Sequence, residues 1–215
     1  MTRFIGEAFA WALIMFAASS CGNSDDKKGA SCTPPAACGG TLDGTWQLGS
    51  TCMQGDEVAL LNATSGNPSA CNRLYQTVSD TVSGTVTYAN GTETANVTKT
   101  SVFEVLYTQA CVSALRGATI TLDATECANQ QQSEIDSGKY TNASCAYSSQ
   151  GCRCSLTTQS TDTSASPYAV SGNRIVYSNG DPPADYCVSG DTLTVSVTYD
   201  LPQGTFTSVG TAHRQ

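Results

Sequence analysis

The chain has 215 residues, with 10 Lys+Arg against 18 Asp+Glu, a single His, 11 Cys and 19 Gly, giving a formal net charge of -8 and a pI near 4.4. That length holds one domain of ordinary size or at most two small ones. The acidic balance, with no basic stripe, argues against a protein that tracks a nucleic-acid backbone or docks on anionic lipid through a basic face.

The amino end reads as an export signal over residues 1–20. Thr2-Arg3 supplies a weak positive start, and Ala8 to Ala18 supplies an uncharged apolar run. That run is too short to cross a bilayer comfortably. Ala18-Ser19-Ser20-Cys21 resembles a bacterial lipobox, with Ala18 where the pattern prefers leucine. The resemblance implies lipidation at Cys21 and attachment to a membrane through that anchor, since several acyl chains suffice for stable anchoring. Gly22 after the cysteine resembles the pattern that permits transfer onward. The expected location is the outer membrane or cell surface.

With Cys21 set aside, ten cysteines remain: Cys32, Cys38, Cys52, Cys71, Cys111, Cys127, Cys145, Cys152, Cys154 and Cys187. An even set in an exported chain predicts structural disulfides, whose pairing spacing alone leaves open. No Cys-x-x-Cys knuckle or nearby histidine completes a metal set, so no metal and no cofactor is expected. Cys152 and Cys154 on one strand face the same side and are expected to bond elsewhere rather than to each other.

Residues 21–40 are polar and rich in Gly, Pro and Ala, the composition of a flexible tether. Cys32 and Cys38 are expected to staple its far end, to each other or to the domain. From Thr41 the chain is dominated by Thr, Ser, Gly, Val and Tyr, which favours strands. Thr45 to Leu48 opens the folded part after the Asp43-Gly44 turn. Ser69 to Val78 is read as a short helix carrying Cys71 and Leu74. Thr81 to Ala89 and Thr92 to Lys99 flank Asn90-Gly91, a hairpin with a type I′ turn.

Ser101 to Thr108 continues as a strand, with Phe103, Val105 and Tyr107 as its inward face. Ala118 to Leu122 reads as a further strand, followed by a polar helix from Glu126 to Ile135 that Asp123 or Thr125 caps. Tyr140 to Tyr147 and Arg153 to Thr158 are strands about Gly151. Strand, turn and strand follow over Tyr168 to Tyr177. Gly190-Asp191 turns into Thr192 to Tyr199, where Leu193, Val195 and Val197 alternate. Gly204 to Val209 is the last strand, and His213 is expected in a frayed tail.

Eight or more short strands joined by Gly/Asn/Asp turns predict an all-β domain over residues 41–215, a barrel or a β-sandwich, with one or two short helices. Gly44-Thr45-Trp46 ahead of the first strand is similar to the glycine-x-tryptophan signature of lipocalins. Tyr168 to Val197 resembles the terminal strands of small lipocalin-like domains. Cys38-Gly39-Gly40, Leu42 to Trp46 and Ser50-Thr51-Cys52, with Tyr186 to Leu193, look like a group of cysteine-rich lipoproteins of predatory and soil bacteria. The resemblance implies an antiparallel up-and-down β-barrel closed by Trp46, with Arg174 or Lys139 as the basic residue over the tryptophan. It implies a cavity for a small apolar or amphipathic ligand.

Within such a barrel Tyr88, Phe103, Glu104, Tyr107, Tyr177 and Tyr199 are the candidate cavity lining, with Glu104 as a polar anchor if it points inward. Catalytic residues are not expected: Gly-x-Ser-x-Gly, the P-loop lysine motif and the dinucleotide glycine fingerprint do not occur in the sequence. Asp181, Asp185 and Asp191 fit turns better than calcium. The function read from the sequence is a surface-anchored, lipocalin-like binder of a small ligand. The alternative is a packed module whose outer loops contact a protein or a polysaccharide.

Overall fold

The computed structural model describes residues 33–215, so Cys21, Cys32, the export signal and most of the tether lie outside the described residues. Nine strands belong to one antiparallel sheet: β1 (Gly44–Gln54), β2 (Tyr75–Ala89), β3 (Thr92–Tyr107), β4 (Asn142–Ser148), β5 (Gly151–Ser171), β6 (Arg174–Tyr177), β7 (Ala184–Ser189), β8 (Thr192–Leu201) and β9 (Gly204–Arg214). Helices α1 (Glu57–Thr64), α2 (Gln109–Arg116) and α3 (Ala124–Asp136) and a 3₁₀ turn at Ser69–Cys71 interrupt the strand sequence.

The strand order is β3-β2-β1-β9-β8-β7-β6-β5-β4, with β3 also pairing β5. This is not the closed lipocalin barrel that the sequence suggests, nor the two sheets of a sandwich. β4 stands as a ninth strand at the sheet's end, and the buried side chains gather in two clusters rather than one central interior. The chain divides accordingly. Unit 1 takes in the described residues up to Gly55 with Asp80–Lys99 and Ser160–Gln215. Unit 2 takes in Asp56–Ser79 and Thr100–Gln159. The physical reason lies in strand length. β2, β3 and β5 run 15, 16 and 21 residues, and each supplies residues to both clusters' units.

In unit 1 the local signals act as their chemistry dictates. Asn90 and Gly91 take φ of 53° and 71°, the left-handed pair of a type I′ turn, and join β2 to β3. Leu193, Val195 and Val197 of β8 are buried with Val86, Tyr88, Val97, Ile175 and Tyr186. Trp46 on β1 has no exposed surface, and its indole N–H donates to the Leu42 carbonyl at 2.8 Å. The cation over its ring is Arg214, 4.3 Å from the centroid, rather than Arg174 or Lys139. Arg174 instead pairs with Asp185 at 2.8 Å. Arg214 also donates to the carbonyls of Asp43 and Thr41 at 2.8 and 3.0 Å, so the residues around His213 are paired strand rather than frayed tail.

Near the start of the described chain, the backbone N–H groups of Cys38 and Gly39 donate to the Tyr186 carbonyl, and Cys38 is disulfide-bonded to Cys187. The far end of the expected tether is thus built into unit 1. Cys52 is disulfide-bonded as well.

Unit 2 is built differently. Its buried cluster includes Cys71, Cys111, Cys127, Cys152 and Cys154 beside Leu74, Val105, Val112 and Leu156. Disulfides join Cys71 to Cys111, Cys127 to Cys152 and Cys145 to Cys154. Asp56, Thr108 and Asp123 cap the three helices, each side chain accepting from a backbone N–H three residues on. The helix expected over Ser69 to Val78 is a single 3₁₀ turn that gives way to β2 at Tyr75. Ala118 to Leu122 is not a strand: the Ile120 N–H is taken by the Ser113 hydroxyl at 3.0 Å, which leads the chain off α2 toward the Asp123 cap.

Candidate functional site

The six residues expected to line one cavity are not brought together. Tyr88, Tyr177 and Tyr199 belong to the unit 1 core, whereas Phe103 and Tyr107 belong to that of unit 2, and Glu104 is half-buried outside either apolar cluster. Inside unit 1 the cavity bordered by Trp46, Leu48, Val86, Tyr88, Leu193 and Val195 measures about 20 Å³. That is room for about one water and far below the several hundred Å³ that a small-molecule site takes. The carrier reading fails on this packing.

Unit 1 buries two carboxylates, Asp80, which pairs with Lys99 at 3.0 Å, and Glu93, which has no such cation beside it among the described residues. Glu93, on β3, is 3% exposed and receives a 2.7 Å hydrogen bond from the Tyr177 hydroxyl. Burial raises its pKa to about 7, against the opposing effect of hydrogen bonds from Tyr177 and Tyr88, with Asp181 adding to the rise. Tyr88 is itself fully enclosed and meets Tyr168 edge-to-face at 5.3 Å. The same burial and the neighbouring Glu93 carboxylate push the Tyr177 and Tyr88 hydroxyls upward. The cluster is sealed, and every polar atom named in it has its partner within the protein.

Unit 2 holds the counterpart that is open. A cleft of about 380 Å³ is bordered by Tyr75 at the start of β2, Tyr107 at the end of β3, Gln130 and Glu134 of α3, and Lys139 and Tyr140 beyond it. Local chemistry sets each of these. The side chain of Asn62 on α1 both donates to the Tyr75 carbonyl and accepts from the Tyr75 N–H, each at 2.9 Å, acting as a strand partner that fixes the tyrosine. Tyr75 also meets Phe103 edge-to-face at 5.9 Å. Gln130 and Glu134 stand four apart on α3, one above the other on the face that Cys127 pins to β5.

The Glu134 carboxylate is held by one oxygen. Tyr107, buried, donates its hydroxyl to Oε1, and Gln130 donates Nε2 to the same atom at 2.7 Å. Oε2 has no hydrogen-bond partner among the described residues. Burial, then the hydrogen bond to Glu134 and that group's charge, raise the Tyr107 pKa; burial, then Tyr75 and Glu134, raise Tyr140 to about 12. Both hydroxyls therefore stay protonated donors at neutral pH. Arg116, which meets Glu126 at 3.6 Å, and Lys139 stand exposed at the cleft's border.

Of the six residues expected to line a cavity, Tyr107 alone lines this cleft, and Lys139, expected over Trp46, borders it instead. Tyr75, Tyr140 and Glu134 come from separate elements, and no motif in the chain links them. Cys145, Cys152 and Cys154 bring their sulfurs within 4.8 Å of one another on β4 and β5, but each is committed to a disulfide. No known protein family, curated protein or solved structure matches this chain.

Proposed function

We propose that the chain is an exported surface protein, lipid-anchored at Cys21, whose disulfide-stapled β-domain is an interaction module that engages a partner protein or polysaccharide through the unit 2 cleft. The observation that carries the reading is the contrast in space. The unit 1 cavity beside Trp46 takes about one water, while a cleft of about 380 Å³ opens in unit 2 among polar and aromatic side chains with Leu74 and Leu115. Glu134 is the one carboxylate among the described residues bordering the cleft, whereas glycoside hydrolysis uses a pair, which favours holding a ligand over cleaving it.

The test has two arms. Organic extraction of the purified oxidised protein, followed by mass spectrometry, is expected to release no stoichiometric apolar molecule. Retention on immobilised cell-envelope material is expected for the natural chain and lost in the Glu134→Gln/Tyr140→Ala double variant. One apolar molecule per chain in the extract, or retention indifferent to both substitutions, overturns the proposal.

A further inference from the structure

We infer that the unit 2 cleft is a saccharide site, in which Glu134 Oε2 accepts from ring hydroxyls while Tyr75 and Tyr140 border the sugar. The inference rests on the interaction-module reading and gives its ligand a chemical class.

Three observations carry it. The first is the held carboxylate. Tyr107 and Gln130 both spend their donors on Oε1, so the side chain is locked in place before any ligand arrives, and Oε2 is left as a charged acceptor. A charged acceptor with fixed geometry gives hydrogen bonds about twice as strong as neutral ones. It also saves the cost of ordering a free side chain on binding. In unit 1 the analogous Glu93 is sealed away by Tyr177 and has no such vacancy.

The second is the kind of surface around it. Ser65, Asn67, Ser133 and Ser137 join Gln130 in bordering the cleft with neutral amides and hydroxyls, which both donate and accept. A polyhydroxylated ring offers the same mixture. Ser65 and Ser137 already donate to backbone carbonyls and Asn67 donates to Ser65, so it is their remaining lone pairs and amide groups that a saccharide can engage and an apolar ligand cannot.

The third is the aromatic border. Tyr75 and Tyr140 both border the cleft, and Tyr75 is backed by Phe103. Tyrosine combines a flat apolar face with a polar tip, which suits a sugar whose C–H face is apolar and whose rim is polar. The charges around the cleft are mixed, Glu134 against Arg116 and Lys139. That balance disfavours a site tuned to a single cation, for which an uninterrupted aromatic and acidic lining is needed.

The experiment is isothermal titration of the oxidised protein with a panel of hexasaccharides: a neutral glucan, a chitin fragment and a polyuronate. At least one is expected to bind with a Kd between about 1 µM and 1 mM. Glu134→Gln is expected to weaken it about tenfold and Tyr140→Ala at least as much, while Tyr147→Ala, at an exposed position of β4 away from the cleft lining, leaves it unchanged. Circular dichroism of each variant reports whether the fold is retained, and competition by excess monosaccharide gives a second readout on the natural chain. Absence of heat across the panel overturns the saccharide inference, as does unchanged affinity in Glu134→Gln and Tyr140→Ala. Phage-displayed peptides that bind the natural chain and not these variants, with no saccharide bound, overturn the saccharide inference alone and leave an interaction module standing. A stoichiometric apolar ligand in the extract overturns both.

Discussion

Two tyrosine–glutamate pairs, one in each unit, make the same bond to opposite ends. In unit 1 the Tyr177 hydroxyl donates to Glu93, Tyr88 covers it, and the carboxyl is 3% exposed. In unit 2 Tyr107 donates to Glu134, yet Glu134 borders a cleft and keeps one oxygen without a partner among the described residues. The difference follows from the elements behind them. Glu93 sits one strand deep between paired neighbours, whereas Glu134 stands on a helix whose other face is solvent. A polar pair closed on all sides specifies a core. The same pair left open on one side presents a prearranged acceptor.

The cores behind the two pairs differ as well, and that difference can be broken first. Trp46→Ala removes the largest side chain of unit 1, frees the Leu42 carbonyl and removes the ring beneath the Arg214 guanidinium, so a loss of about 5 kcal/mol is expected. Urea unfolding measures it. Hydrogen exchange is expected to show protection falling in β8 and β9 before it falls in α3.

Cys71→Ser with Cys111→Ser opens a crosslink spanning 40 residues in unit 2, with an expected loss of about 4 kcal/mol. Exchange in α2 and β4 should rise while the Trp46 indole N–H stays protected. Equal loosening of both units overturns the view that each has its own core.

The pH dependence tests the sealed carboxyl of unit 1. Glu93 has its folded pKa raised to about 7 from an ordinary 4.5, so its stabilising protonation is fully in force below about pH 4.5 and is lost as pH rises through about 7. Over that window the natural chain is expected to lose up to about 3 kcal/mol relative to Glu93→Gln, whose stability curve stays flat on this account. Denaturant midpoints at pH 5 and pH 8 decide it, and a parallel course for the two proteins removes Glu93 from the explanation. At the small end, Arg174→Ala breaks an exposed pair with Asp185 and is expected to shift stability by less than about 0.5 kcal/mol.

The sequence reveals the hairpins well because their turns are local chemistry. Asn90-Gly91 and Gly190-Asp191 fall where a tight reversal needs left-handed backbone, and β2–β3 and β7–β8 follow from them. Strand length is harder to read. The stretch Ser155 to Ser166 carries almost no large apolar residue, so its place in a 21-residue strand is invisible to hydrophobic alternation. Helix α2 is hidden for another reason: its eight residues follow a strand directly, with Cys111 and Val112 as its only buried side chains.

A Gly-x-Trp pair and terminal hairpins are compatible with a barrel, but local patterns do not specify whether a sheet closes around one interior or divides its buried face in two. The cleft depended on tertiary placement altogether. Tyr75 is set by Asn62 thirteen residues earlier in the chain, and Tyr107 meets Glu134 across 27.

The clasp of Arg214 over Trp46 has a consequence for the order of events in the life of the chain. Trp46 is made early and its cover late, and Cys38 must wait for Cys187, 149 residues on. A ribosome or a translocation pore delivers the amino end first, so unit 1 spends most of its emergence with its tryptophan bare and its Cys38–Cys187 crosslink unmade. Unit 2 lies wholly within that interval, and its three disulfides span only 40, 25 and 9 residues. The inserted half is thus able to mature before the half that encloses it in sequence, which makes the last strand the latch on which completion of the earlier-born core depends.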